Sequence, residues 1–187
     1  MSKKPARIVR LDPEAWLDAG LDALVEHGLD GVRVEVLARR IGVTKGSFYH
    51  HFKDRPEFLK RMVERWRALQ EGYLRSLAES PSARPVDRLD AVLTFIHHKD
   101  SRHDIALRCW ARHDATVRRT VSRIDQARLD YLQGLFEALG FQGDQALLRS
   151  RLVYFYQVGE HHLAVRDPAE QRDRLLELRR ALLGSGW

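Results

Sequence analysis

The stretch from Gly42 to Asp54, "GVTKGSFYHHFKD", crowds aromatics, adjacent histidines, lysines and a helix-weakening glycine together, and its reading decides the fold. Just before it, Val34, Leu37, Ala38 and Ile41 fall at i, i+3, i+4 and i+7, the apolar stripe of a short helix. Gly42 follows where a helix ends in a left-handed residue. Thr44 then caps a second short helix, "KGSFYHHF". At about 100° per residue, Phe48 and Phe52 share one side of it, while Gly46, His50 and Lys53 lie roughly opposite, flanked by Ser47 and Tyr49. The phenylalanines face inward and the polar set outward. Helix, turn and helix make a helix-turn-helix, whose second helix commonly lies in the DNA major groove.

Working outward, Asp54 caps a longer helix with Pro56 in its first turn and Phe58, Leu59, Met62, Trp66, Leu69 and Tyr73 along it. Upstream, Asp12-Pro13-Glu14 supplies an N-cap, a proline at the first helical position and an acid in the first turn, starting a helix that runs to His27 before Gly28. Downstream, "ESPSARPVD" carries two prolines and two serines and sets a domain boundary near residue 80. Beyond it, 86–99, 103–114, 116–139, 144–166 and 168–183 read as helices, and no alternating run of strand length occurs. The expected fold is all-α. Residues 1–55 form a basic arm and helix-turn-helix domain (the motif itself about 33–52), 56–79 a connecting helix, and 80–187 a helical ligand-binding and dimerisation domain.

A chain of 187 residues, 44% apolar and 31% charged, has the composition of an ordinary soluble protein. No apolar run approaches the ~20 residues of a membrane span, and "MSKKPARIVRLDPE" lacks the apolar segment of a secretory signal, so the chain is expected in the cytoplasm. The single cysteine, Cys109, excludes an internal disulfide and a structural zinc site of cysteine type. The net charge of +6 is unevenly spread. Residues 1–10 carry Lys3, Lys4, Arg7 and Arg10 and no acid, 11–32 carry six acids and no base, and 33–61 carry eight bases against three acids. Two basic blocks near the N-terminus suit a polyanion.

Side-chain chemistry then assigns roles. The Thr44 hydroxyl and the amides that open its helix suit a phosphate oxygen. Lys45, Lys53 and Arg55 supply cations for phosphates, Tyr49 a hydroxyl on a rigid ring, and Ser47 and His50 groups for base edges. Gly46 lets phosphate or a base edge come close. Arg33 can reach another phosphate, and the N-terminal arm can track the backbone or enter the minor groove.

The run "VEVLARRIGVTKGSFYHHFKDRPEFL", with "ALVEHGLDGVRV" ahead of it, closely resembles the DNA-binding domain of TetR-family transcriptional repressors over roughly residues 8–70. Leu37-Ala38, Gly42-Val43 and Gly46-x-x-Tyr49-x-His51-Phe52 occur together at fixed spacing. The resemblance implies a homodimer with a helical C-terminal domain that holds an effector pocket, effector binding releasing DNA. It also implies that Thr44, Lys45, Gly46, Ser47, Tyr49, His50 and Lys53 face DNA, with His51 near phosphate. This chain departs from the family's usual threonine at Arg33, which puts a guanidinium where a hydroxyl contact and cap would stand.

Metal and enzyme readings have less to stand on. His50 and His51, adjacent on a helix, point about 100° apart and do not readily chelate one ion. In the C-terminal half are His97, His98, His103, His113, His161 and His162; Cys109 and His113 have a workable i, i+4 ligand spacing. Paired Glu-x-x-His, His-Glu-x-x-His and Gly-x-Ser-x-Gly motifs are absent, so no enzyme, metal or cofactor is expected.

Leu148, Leu152, Phe155, Gly159 and Leu163 form one stripe, and Leu175, Leu178 and Leu182 another, on helices apolar over more than one face. They are the expected dimer interface, two helices from each subunit. Phe95, His98, Trp110, Tyr131 and Tyr154 are the candidate effector pocket, though the same residues equally describe a filled core. The expected function is a homodimeric repressor of a palindromic double-stranded operator, released by a small-molecule effector whose identity the sequence does not give, with no membrane partner. One rival is a DNA-binding regulator without an effector, and another a helical metal-binding protein or enzyme.

Overall fold

The computed structural model describes residues 12–79, 84–163 and 167–184, and these are helical throughout, without a strand. The basic arm and the boundary near residue 80 lie outside the described residues. The helices are α1 (Pro13–His27), α2 (Val34–Arg40), α3 (Lys45–His51), α4 (Arg55–Ala78), α5 (Pro85–His98), α6 (Arg102–Ala111), α7 (Ala115–Ala138), α8 (Asp144–His162) and α9 (Ala169–Gly184), with a 3-10 turn at Leu29–Gly31. They form two compact units. Among the described residues, one comprises 12–68 and 102–118, the other the remainder of 69–101 and 119–184.

In the first unit, local sequence signals set the helix ends. The Asp12 carboxylate accepts from the Glu14 N–H at 3.1 Å, with Pro13 opening α1. After α2, Gly42 takes φ 72°. The Val43 N–H reaches back to the Ala38 carbonyl at 2.9 Å and the Gly42 N–H to Arg39 at 3.4 Å, the paired bonds of a Schellman stop. Asp54 and Glu57 cap α4 reciprocally: Asp54 Oδ1 accepts from the Glu57 N–H, and the Glu57 carboxylate accepts from the Lys53 N–H, both at 2.8 Å.

Packing follows the apolar stripes. Trp16, Phe48, Phe52 and Phe58 are all buried, their rings 4.9–5.4 Å apart in the pairs that touch, mostly edge to face. Each buried phenylalanine stabilises the unit by roughly 1.5–3 kcal/mol. Gly20 lets α1 approach α4 closely, since a Cβ there would stand 2.7 Å from Phe58 Cζ and 2.8 Å from Met62 Sδ.

α6, read from the sequence with the C-terminal domain, packs in this first unit. The Trp66 indole N–H donates to buried Asp104 at 2.9 Å, His103 Nε2 lies 3.0 Å from Asp22 on α1, and Leu107 is fully buried. α6 also stops at Ala111 rather than running to residue 114, because Asp114 Oδ1 accepts from the Thr116 and Val117 N–H groups and caps α7 instead. His113 therefore lies past the end of the helix that carries Cys109.

The second unit packs α5, α7, α8 and α9 around Leu93, Leu132, Leu135, Phe136, Val153 and Leu176. Gly140, φ 97°, ends α7 with the same stop as α2: the Phe141 N–H reaches the Phe136 carbonyl and the Gly140 N–H that of Glu137. α8 ends at His162, short of the expected residue 166, with Leu163 in extended conformation.

Candidate nucleic-acid interface

The two faces of α3 separate as its sequence predicts. Phe48 is fully buried against Trp16 and Phe58, and Phe52 is buried just past the helix end. On the other side Thr44, Lys45, Gly46, Tyr49, His50 and Lys53 are exposed, and Ser47 and His51 are half-buried. Tyr49 stands 56% exposed with its ring edge-on to Phe48, so its hydroxyl is held away from the core on a braced ring.

Thr44 occupies the N-cap position in extended conformation, but its side chain makes no capping bond. The expectation that it caps α3 through its hydroxyl is thus corrected. Gly46 has no internal reason to be glycine: an added Cβ would meet only Thr44 Oγ1, at 3.7 Å, an ordinary contact. A residue that weakens a helix by about 1 kcal/mol relative to alanine, with nothing packed on it, fits a surface something else must approach.

The cations divide into two groups. Lys53 projects outward, while Lys45 pairs with Glu35 across the turn between α2 and α3. That hydrogen bond holds the Glu35 carboxyl below its ordinary value and the Lys45 ammonium above its own. Arg33 stands before α2 without a side-chain cap, and its Nε donates to the Asp30 carbonyl at 2.7 Å, leaving the rest of an exposed guanidinium facing out.

Arg55 is exposed, and its Nε and Nη2 donate to the Val32 and Leu29 carbonyls, each at 3.0 Å, so it also ties the 3-10 turn to the start of α4. Arg61 was not singled out by sequence reasoning. Its Nη1 donates to the His51 carbonyl at 3.1 Å and its guanidinium lies 4.8 Å from the Phe52 ring centroid, fixing the C-terminal end of α3. Arg40 locks α2 onto α1 through a bidentate pair with Glu26 at 2.6 and 2.8 Å. Such partners stand 10 to 26 residues away, and only i, i+3 or i, i+4 pairs advertise themselves in a sequence.

In the second unit, Phe95, Tyr131 and Tyr154 line one cavity of about 40 Å³ together with Gln70, Tyr73, Lys99 and Arg128. His98 is exposed and does not line it. Trp110 belongs to the first unit and lines a surface pocket there with Leu24, Ile105, Cys109 and His113. α6 packs with α1, which removes Trp110 from the expected group. On α8 and α9, Leu148, Leu152, Phe155, Leu175, Leu178 and Leu182 line an open groove of about 580 Å³. Gly159 is half-buried, and Leu163, 59% exposed, follows α8 outside the groove lining.

A buried aromatic face, an outward polar face and a glycine-stopped turn define α2 and α3 as the helix-turn-helix of a DNA-binding protein. Residues 17–62 match the family model described as bacterial regulatory proteins, tetR family. These residues therefore carry the DNA-binding domain of a tetR-family regulator. The chain is similar to the uncharacterized HTH-type transcriptional regulator YwcC of Bacillus subtilis, 38% identical over 52 residues, which is 28% of this chain and 23% of that one. It is also similar to the HTH-type transcriptional regulator BetI of Klebsiella pneumoniae, 30% identical over 95 residues, 50% of this chain and 49% of BetI. The matched segments thus span about half or less of these relatives. Among solved structures, reduced E. coli NemR superposes with a TM-score of 0.71 at 21% identity, over 91% of this chain and 95% of NemR. A TetR/AcrR-family regulator from Thermobifida fusca does so with 0.67 at 17%, over 94% and 97%. These two likenesses establish the fold.

Proposed function

We infer that the chain is a non-enzymatic, homodimeric cytoplasmic repressor that binds a palindromic operator and leaves it when a small molecule occupies the second unit. The division of α3 carries this reading. Thr44, Lys45, Gly46, Ser47, Tyr49, His50 and Lys53 stand on one accessible surface, with Arg33 beside it, while Phe48 and Phe52 anchor the opposite face. Phosphate is met by Thr44, Lys45, Lys53 and Arg33 with His51 close by, and base edges by Ser47 and His50. Arg55 contributes by bracing the turn.

An exposed apolar face on α8 and α9 supports the same reading. Leu152, Phe155 and Leu178 are 48%, 58% and 65% exposed on adjoining helices, and an apolar face of this kind on a regulator is suited to a second copy. One short recognition helix reads few base pairs, and a two-fold pair of them supplies the missing affinity. No helix among the described residues is long and apolar enough to cross a membrane.

The test is equilibrium binding to DNA flanking the chain's own gene across a salt series. Specific binding that weakens steeply with salt, and that Tyr49→Phe and Lys53→Ala each weaken without lowering the melting temperature, supports the reading. Full affinity in both variants would place the contact surface elsewhere. A regulator without an effector is the second reading, favoured by the small volume of the cavity, about 40 Å³, which is room for only a few waters. Operator affinity indifferent to every added small molecule would select it.

A further inference from the structure

The block from Arg33 to Arg61 carries eight bases and three acids. Two of the acids, Asp54 and Glu57, cap α4 against each other. The third, Glu35, sits in the first turn of α2, where an acid suits the helix dipole, yet its side chain does more than that role asks. It is exposed, and so is Arg39 one turn further along the same side of α2, the ordinary i, i+4 partner of a helix glutamate. Glu35 pairs instead with Lys45, ten residues along, at the first position of α3.

Both side chains are more than half exposed, so the pair lies on the accessible surface. The Glu35 carboxylate also accepts from its own backbone amide, which holds it from two directions beside the N-terminal end of the recognition helix. That end is where the side chains of a helix-turn-helix meet base edges. A bare carboxylate suits a phosphate-facing surface poorly, because like charges repel. Lys45 makes the pair neutral as a unit and leaves the carboxylate, with about four acceptor sites and no donor, open to a further hydrogen bond. In the major groove it can accept only from amino groups, cytosine N4 or adenine N6, and it opposes the acceptor-only edges of guanine and thymine. Adenine sets N6 beside the acceptor N7 and is matched by an amide that both donates and accepts, whereas a carboxylate is matched by cytosine.

We propose that Glu35 reads a cytosine in the operator half-site, its carboxylate accepting from the N4 amino group while Lys45 turns to a neighbouring phosphate. The reading surface then extends from α3 onto α2. The proposal rests on the assignment of α2 and α3 as the DNA interface, and its test separates the two.

Sequences are selected from random DNA with the unaltered chain and with Glu35→Gln, Glu35→Ala and Lys45→Ala, and the selected half-site is then titrated with each base in turn at every position. The unaltered chain shows a position where cytosine is required and any replacement weakens binding about tenfold or more. Glu35→Gln moves that position to adenine and leaves the others as they were, and Glu35→Ala leaves it unread. Loss of the acid also frees Lys45 and raises affinity for all sequences alike, so the quantity scored is the ratio between bases at fixed salt. Lys45→Ala weakens all sequences alike and keeps the cytosine. The variants melt with the unaltered chain, since the pair is exposed. An unchanged cytosine preference in Glu35→Gln and Glu35→Ala would overturn the proposal and reduce Glu35 to a tether for Lys45. Loss of the preference in Lys45→Ala would overturn it too, because Lys45 would then be reading the opposing guanine. A chain that selects no sequence at all would refute the DNA-reading function itself, and the proposal with it.

Discussion

Gly46 concentrates the functional argument in one residue. No neighbour needs its missing side chain, so Gly46→Ala leaves the melting temperature unchanged or raises it, by up to about 1 kcal/mol of stability, from helix propensity. Operator affinity falls at least about tenfold, because the new methyl lies on the contact surface. Parallel thermal melts and anisotropy titrations check both halves. Glu35 is the counterpart: its carboxylate neutralises Lys45 in the DNA-free protein, so Glu35→Gln frees the lysine and strengthens DNA binding several-fold at low salt, an effect that fades at high salt. The signs of the pair's pH dependence follow from its shifts. The lowered Glu35 contributes above its ordinary 4.5 and that contribution is lost as pH falls through its folded value; the raised Lys45 contributes below its ordinary 10.5 and that is lost as pH rises through its own. Between these limits the Glu35→Gln effect on DNA binding is flat with pH, which titrations at pH 6 and pH 8 check.

At the scale of elements, the faces and stops were legible and the braces were not. The α2 stripe, the left-handed Gly42, the division of α3 and the Asp54 cap all express periodicities or cap chemistry that act within a few residues. Arg55, Lys45 and Arg61 looked alike in sequence as cations near a recognition helix, yet one braces a turn, one pairs with an acid and one holds the end of α3. Trp110 was grouped with Phe95 as an apolar wall with a polar edge on a central helix, whereas Asp22 and Trp66 draw α6 into the first unit. Two substitutions probe that packing. Gly20→Val forces atoms onto Phe58 and Met62 and costs about 1–3 kcal/mol, and Trp66→Phe costs a similar amount by removing the indole donor from buried Asp104. Denaturant unfolding measures both.

Over the whole molecule, one chain carries a DNA-reading unit and a unit with an exposed apolar groove, and two-fold pairing through that groove would give DNA two recognition helices at once. Leu152→Glu with Leu178→Glu places charges in that groove, where both side chains are about half exposed or more, so the folded chain survives while self-association is lost. Sedimentation shifts to the monomer, and operator affinity drops by a hundredfold or more, since each half-site then binds alone. The most direct test of the central claim is selection of bound sequences from random DNA with the purified protein. The expected product is an inverted repeat whose half-sites are related by two-fold symmetry. Recovery of unrelated sequences bound only through charge, or of a single asymmetric site, would contradict it.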